Sequence, residues 1–534
     1  MQRTSLHRRK LLAAVGATAA IAGLPSRFAI GQGAAGKVMR YVPTADLSVL
    51  DPSFTTTQVS ITHGYYVFDT LYGIDSRQQP QPQMAEGHTV SDDGRVWDIR
   101  LRDGLRFHDG EPVLARDCAA SLKRWATRDV LGQTLGAFVD NFGTADDRTI
   151  RITLKSPFPL LPNALAKPNG MLPVMLPERL ATIDPQTQIK EMIGSGPYRF
   201  LKNEFVAGNS AAYSKFKDYV PRQEKPDWAS GGKVAHIDRI EWKIIPDAST
   251  ASAALQTGEV DWWEQVQPDL LPLLRRSPDL TVENFNPVGF FGTLRFNHLN
   301  PPFNNVRMRR AIQMAVNQDD YMRSVTGNDP SIFRTCKALF PCGTPYGEEL
   351  GVELMPGDLN AARAEIKAAG YAGEKVVILN PGDIATIAPF GHVTYDLFKK
   401  LGLNVEIQEM DWNTLAQRRT RSEPVDKGGW SVFHNWWLGT SFADPAISTV
   451  VRGLGAKGWA GWFSNETIES LTAQWLRAPT QEDRNPLVTA IHREALATVP
   501  AVVLGRFFIL TAHRKNLTGL LQGTSPYPWN LRWA

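Results

Sequence analysis

Residues 289–316, GFFGTLRFNHLNPPFNNVRMRRAIQMAV, restrict the fold more than any other part of the chain. Phe291, Thr293, Arg295 and Asn297 alternate with Phe290, Gly292, Leu294 and Phe296. That is the period of a strand with aromatic residues on a buried face. Pro301-Pro302 ends regular structure. Val306, Met308, Ile312 and Val316 then recur at near-helical spacing, with Arg307, Arg309 and Arg310 between them, and predict an amphipathic helix. A strand, a proline break and a fresh helix in mid-chain mark a crossing between two lobes.

A chain of 534 residues is too long for one ordinary core and calls for two or three domains. Its 43% hydrophobic and 21% charged residues are a globular composition. Fifteen Trp is high for this length, and Trp serves both cores and ligand clefts. The formal charge of +4 comes from the N-terminus: Arg3, Arg8, Arg9, Lys10 and Arg27 stand in the first 33 residues, without Asp or Glu. Removing those five leaves the basic side one short of the 54 acidic residues. A nearly neutral remainder gives no electrostatic reason to expect nucleic acid or an anionic membrane as partner.

His7-Arg8-Arg9-Lys10 precedes an uncharged apolar run from Leu11 to Leu24. The run is too short to span a bilayer and suits the core of an export signal. HRRKLL resembles a twin-arginine signal, with His7 and Leu11 departing from its usual residues, so general secretory export stays open. Residues 1–33 are therefore expected to be a cleaved leader. No Cys near the cleavage region offers a lipid anchor, and a soluble periplasmic protein is expected. Cys336 and Cys342, in CKALFPC, suit a small disulfide loop in an oxidising compartment. Two thiolates without a second Cys or His pair make half a zinc site. Cys118 falls on a helical pattern and is expected to be a buried free thiol.

The run SDDGRVWDIRLRDGLRFHDGEPVLARDCAASLKRW, residues 91–125, holds three Asp-Gly turns around a strand on which Trp97, Ile99 and Leu101 alternate with Asp98, Arg100 and Arg102. His108 and Asp109 are adjacent and belong to a turn rather than a catalytic pair. Gly194-Ser195-Gly196-Pro197-Tyr198 requires unusual backbone angles and permits close approach. ASTASAALQTGEVDWW gives a helix with a Gly C-cap and a following strand. With FNHLNPPFNNVRMRRAIQMAV, these segments resemble the family 5 extracellular solute-binding proteins, the peptide, nickel and related receptors of ABC importers. The resemblance covers roughly residues 37 to 520.

It implies an α/β, two-lobed periplasmic binding protein fold (type II, cluster C-like) with an extra inserted subdomain in the first lobe. Residues 37–75, 190–288 and 502–534 are expected to form the first lobe, 76–189 the inserted subdomain, and 289–501 the second lobe. Within the second lobe, helix 394–401 between strands 376–379 and 405–407 makes a βαβ unit with parallel pairing. Ala501–Ala512, almost wholly apolar, reads as one buried strand returning to the first lobe.

Enzyme motifs fail on context. GQGAAG, Gly31 to Gly36, has no strand before it, and Ser214-Lys215-Phe216-Lys217 has no S-D-N or K-T-G after it. No metal or cofactor motif stands out among the ten His. An exported hydrolase or a periplasmic chaperone or sensor on the same fold remains the alternative. The expected function is capture of a small peptide or other small organic solute in an interlobe cleft, by a monomer that delivers it to ABC permease subunits.

The candidate ligand-contacting residues are Trp436, Trp437, Gly439, Thr440, Ser441 and Asp444 in HNWWLGTSFADP, with Phe296 and Asn297 from the crossing strand. Trp436 and Trp437 end a strand, and the loop follows at the C-terminal edge, where α/β folds bind ligands. Peptide receptors of the family carry an Asp four residues before the loop's Pro, which pairs with the peptide amino group. Ser441 stands there, and Asp444, directly before Pro445, is expected to point elsewhere. No Lys or Arg lies between Lys375 and Lys399 to hold a carboxylate as in dipeptide receptors. A buried charged terminus without its counter-charge costs several kcal/mol, so dipeptides with two free termini are expected to bind weakly.

Overall fold

The computed structural model describes residues 37–327 and 329–534. The expected leader and its Arg8-Arg9 pair lie outside them. Three sheets organise the described chain. The first has seven strands in the order Leu280–Glu283, Thr511–Arg514, Trp262–Trp263, Val38–Val42, Arg239–Lys243, Ser210–Lys215 and Tyr198–Phe200. Val38–Val42 runs parallel to both neighbours, Arg239–Lys243 and Trp262–Trp263. The second has six strands: Phe333–Arg334, Ala501–Phe507, Phe290–Phe296, Val432–Leu438, Lys375–Pro381 and Asn404–Met410. A four-stranded antiparallel sheet comes wholly from residues 85–154.

The strand Phe290–Phe296 is central in the second sheet and every residue in it is buried. The alternation read from sequence therefore separates two buried faces rather than a wet face from a dry one. Phe290, Leu294 and Phe296 meet Met308 and Ile312 of helix Val306–Ala315 and Phe390 and Phe398 of helix Ala388–Lys400. Gly292 is required there, because a Cβ would lie 2.8 Å from Phe390 Cζ. Lys375–Pro381 and Asn404–Met410 pair in parallel around helix Ala388–Lys400, as the βαβ pattern predicts.

The chain passes from the first sheet to the second between Glu283 and Phe290, and back between Phe507 and Thr511. The expected single strand 501–512 is two strands: Ala501–Phe507 pairs with Phe290–Phe296, and Thr511–Arg514 pairs in the first sheet. A first lobe beginning at residue 502 would cut the former strand, whereas the sheet keeps it whole as far as Phe507. An unbroken apolar run hides the change, since both halves are buried. The passages touch each other: Gly289 has φ 74, and a Cβ on it would meet Phe507 O at 2.8 Å. No helix among the described residues is long and apolar enough to cross a membrane.

Candidate functional site

Successive side chains of a strand point to opposite faces, and this divides the tryptophan pair on Val432–Leu438. Trp436 faces the helices. Its ring meets Phe290 edge-on at 4.9 Å, and its Nε1 donates to Thr386 Oγ1 at 2.9 Å. Trp437 faces the other way, opposite Phe291, which in turn lies opposite Arg506. Trp437, Phe291 and Arg506 thus form one row across three strands. Trp437 packs at 5.2 Å against Trp459, and its buried Nε1 has no hydrogen-bond partner among the described residues. An apolar body with an unused donor suits a ligand wall.

The same face carries a cation that the sequence reading missed. The Arg419 guanidinium lies 5.4 Å from the ring centres of Trp412 and Trp459 and 5.7 Å from that of Phe433. Such stacking on aromatic faces suits the planar guanidinium. Burial lowers its pKa, with no carboxylate offsetting the shift. In sequence Arg419 sits in QRRTR, which reads as a solvated charge run, and only folding sets it among three rings. Arg295, on the Phe291 face, holds the Trp459 segment by donating to Ala460 O at 3.0 Å.

The loop after Trp437 is fixed from two sides. Gly439 N donates to Gly289 O at 3.0 Å, and a Cβ on Gly439 would lie 2.3 Å from Val288 Cγ1. Thr440 Oγ1 accepts a buried hydrogen bond of 2.6 Å from Asn169 Nδ2, 271 residues away in sequence. Ser441 is half-buried. Asp444 Oδ1 accepts from Ala446 N at 2.8 Å and Ile447 N at 3.3 Å. Burial pushes the Asp444 carboxyl up to about 6, against the pull of those two N–H groups and of Lys167 and Arg452.

Asp444 and Thr440 line a cavity of about 160 Å³, with Tyr346 and Arg484 on their side and Gln78, Asn163 and Lys167 opposite. Asp444, directly before Pro445, is expected from sequence to point elsewhere, yet it lines the cavity, with Oδ1 held by the Ala446 and Ile447 N–H groups. Lys167 also pairs with Asp129. Gln78 Nε2 reaches across to Gly343 O at 3.2 Å. Gly343 directly follows the Cys336–Cys342 disulfide, and Cys118 is a buried free thiol.

Phe296 and Asn297 do not join this group. Phe296 is fully buried and packs on Phe303 at 4.9 Å. Asn297 spends its amide on Trp430 O at 3.0 Å and its carbonyl on Leu299 N at 3.0 Å. The register explains this: Phe291 lies opposite Trp437 but Phe296 opposite Val432. Five residues of strand put Phe296 about 17 Å from the Trp437 end.

The model of bacterial extracellular solute-binding proteins, family 5, matches residues 79–457. A probable peptide ABC transporter periplasmic-binding protein of Sinorhizobium fredii is 37% identical over 534 residues, spanning 99% of this chain and 100% of the relative. The glutathione-binding protein GsiB of Salmonella typhi is 25% identical over 97% of this chain and 96% of its own. Among solved structures, the periplasmic binding protein AgaA of A. tumefaciens R10, in complex with agropinic acid, superposes with a TM-score of 0.76 at 20% identity. That match covers 93% of this chain and 99% of that one. With the two sheets, their double passage and a full-length relative in agreement, the chain belongs to the bacterial extracellular solute-binding proteins of family 5.

Proposed function

We propose that the protein is the periplasmic receptor of an ABC importer and that its solute is a small peptide derivative or similar organic acid carrying a carboxylate. The observation that carries this reading is Arg419, a guanidinium held among Trp412, Phe433 and Trp459 on the face that also presents Trp437. A ligand carboxylate would take the free guanidinium donors, a charge-assisted contact worth about 1.5–3 kcal/mol. An apolar or planar part would lie on Trp437 and Trp459. Gly439, Thr440 and Ser441 supply the loop that follows Trp437, and Thr440 and Asp444 line the cavity on that loop. Ser441 leaves the family's usual ammonium partner missing, while Arg419 answers the lack of a cation between Lys375 and Lys399. Glutathione and agropinic acid, named for a relative and for a structural neighbour, both carry carboxylates. Export through the leader, action as a monomer, partnership with permease subunits and the lack of an enzymatic role belong to the same reading.

Calorimetric titration with Gly-Leu, glutathione and an opine tests it. A carboxylate-rich solute is expected to bind at least tenfold tighter than Gly-Leu. Sub-micromolar affinity for Gly-Leu, with weaker binding of the other two, would refute it.

A further inference from the structure

The two passages between the sheets meet at one side chain. The Arg506 guanidinium donates to Pro287 O in the first passage. It lies 4.8 Å from the ring centre of Phe508 in the second and 5.8 Å from that of Phe291. A methyl group on Gly343 would sit 3.4 Å from Arg506 Nη1, so the guanidinium also abuts the loop behind the Cys336–Cys342 disulfide. Burial and the neighbouring cation Arg334, directly across the strand pair, lower the Arg506 pKa, and no acid offsets them. A half-buried cation without an acid depends on the carbonyl and ring faces around it. Here those faces belong to both passages, Pro287 O and the following Phe291 on the first and Phe508 on the second. Any swing of one lobe against the other changes the backbone angles of the two passages, because hinges of this kind concentrate the change in a few connecting residues.

We propose that Arg506 is a positioning residue for lobe closure, clamping both passages and the disulfide-tied loop in one arrangement. The clamp acts through the hinge and is independent of which solute occupies the cavity. It also ties the hinge to the far rim, because the loop it abuts gives Gly343 O to Gln78 of the first lobe. Loss of the clamp loosens that contact and raises the open population.

The test is small-angle X-ray scattering on the ligand-free exported chain, with thermal unfolding in parallel. The variants are R506A, R506K and, as a control, R309K. Arg309 donates to Phe303 O, Asn304 O, Thr498 O and Val499 O, all in residues 289–501, so it is a clamp of the same kind inside one lobe. R506A is expected to increase the radius of gyration. R506K, which can reach Pro287 O but has no flat face for Phe508, should give a smaller increase. R309K should lower the melting temperature and leave the radius at the wild-type value. A radius for R506A and R506K equal to or below wild type would overturn the proposal. So would an equal increase in R309K, because general loosening would then account for it. If R506A does not fold, R506K against R309K decides the matter alone.

Discussion

Gly439 N donates to Gly289 O at 3.0 Å, joining the first residue of the ligand loop to the last residue before the central strand of the second sheet. The contact is possible because Gly439 has no Cβ; one would stand 2.3 Å from Val288 Cγ1 and 3.0 Å from Phe291 Cε2. The loop that lines the cavity therefore rests directly on the passage between the two sheets.

Gly439→Ala should force the loop off Val288. Overpacking of this kind costs about 1–3 kcal/mol. Urea unfolding should show a lower midpoint with an unchanged slope, and solute affinity should fall with it. An unchanged midpoint would mean that the loop has room the packing does not show.

One buried carboxyl group and two buried imidazoles set a pH dependence. Burial pushes Glu264 up to about 7, partly offset by the Tyr41 hydroxyl at 2.5 Å and Thr44 N–H at 2.9 Å. The folded pKa is above the unfolded one, so its contribution is fully present below about pH 4.5 and is lost as pH rises through about 7. Buried His63 and His434 are both lowered to about 3 and act in the opposite direction, losing stability as pH falls below their unfolded value. Comparison with Glu264→Gln separates the two effects. The melting temperature of the variant minus that of wild type should rise from pH 5 to about pH 7 and level off above it. A flat difference would place the Glu264 titration outside that range.

The Cys336–Cys342 ring encloses seven residues, 336–342. Closing a loop of that size is worth about 2 kcal/mol in the chain-entropy model. Cys336 is also gripped by Gln318, through Cys336 N to Oε1 and Nε2 to Cys336 O, each at 2.7 Å. The double variant C336S/C342S should lose about that stability. Hydrogen exchange should quicken chiefly in residues 337–347 and around Gln78. Faster exchange spread evenly over the second sheet would contradict a local role.

The parts of the fold that are local in sequence were readable. Asp-Gly turns, glycine caps and alternating strands mark most elements, and 375–381 and 404–410 pair as their spacing implies. Sheet membership was not readable for Ala501–Ala512, because burial on both sides erases the alternation that would separate the two strands. HNWWLGTSFADP read as a strand end followed by a loop, as the structure has it, and strand alternation assigns Trp437 to one face and Trp436 to the other. Phe296 and Asn297 were misplaced because pairing register is invisible in one strand's sequence. Arg419 joins the Trp437 face, and Lys167 the cavity beside Asp444, and nothing in their own sequence neighbourhoods signals it.

The most direct measurement compares native and denaturing mass spectra of the protein, purified without refolding, as wild type and as Arg419→Ala. A stoichiometric small molecule bearing a carboxylate is expected in the wild type, with clearly lower occupancy in the variant, whose affinity for the released solute should fall about tenfold or more, the loss expected for one charge-assisted contact. Equal occupancy in both proteins, or a released solute with no anionic group, would contradict this expectation.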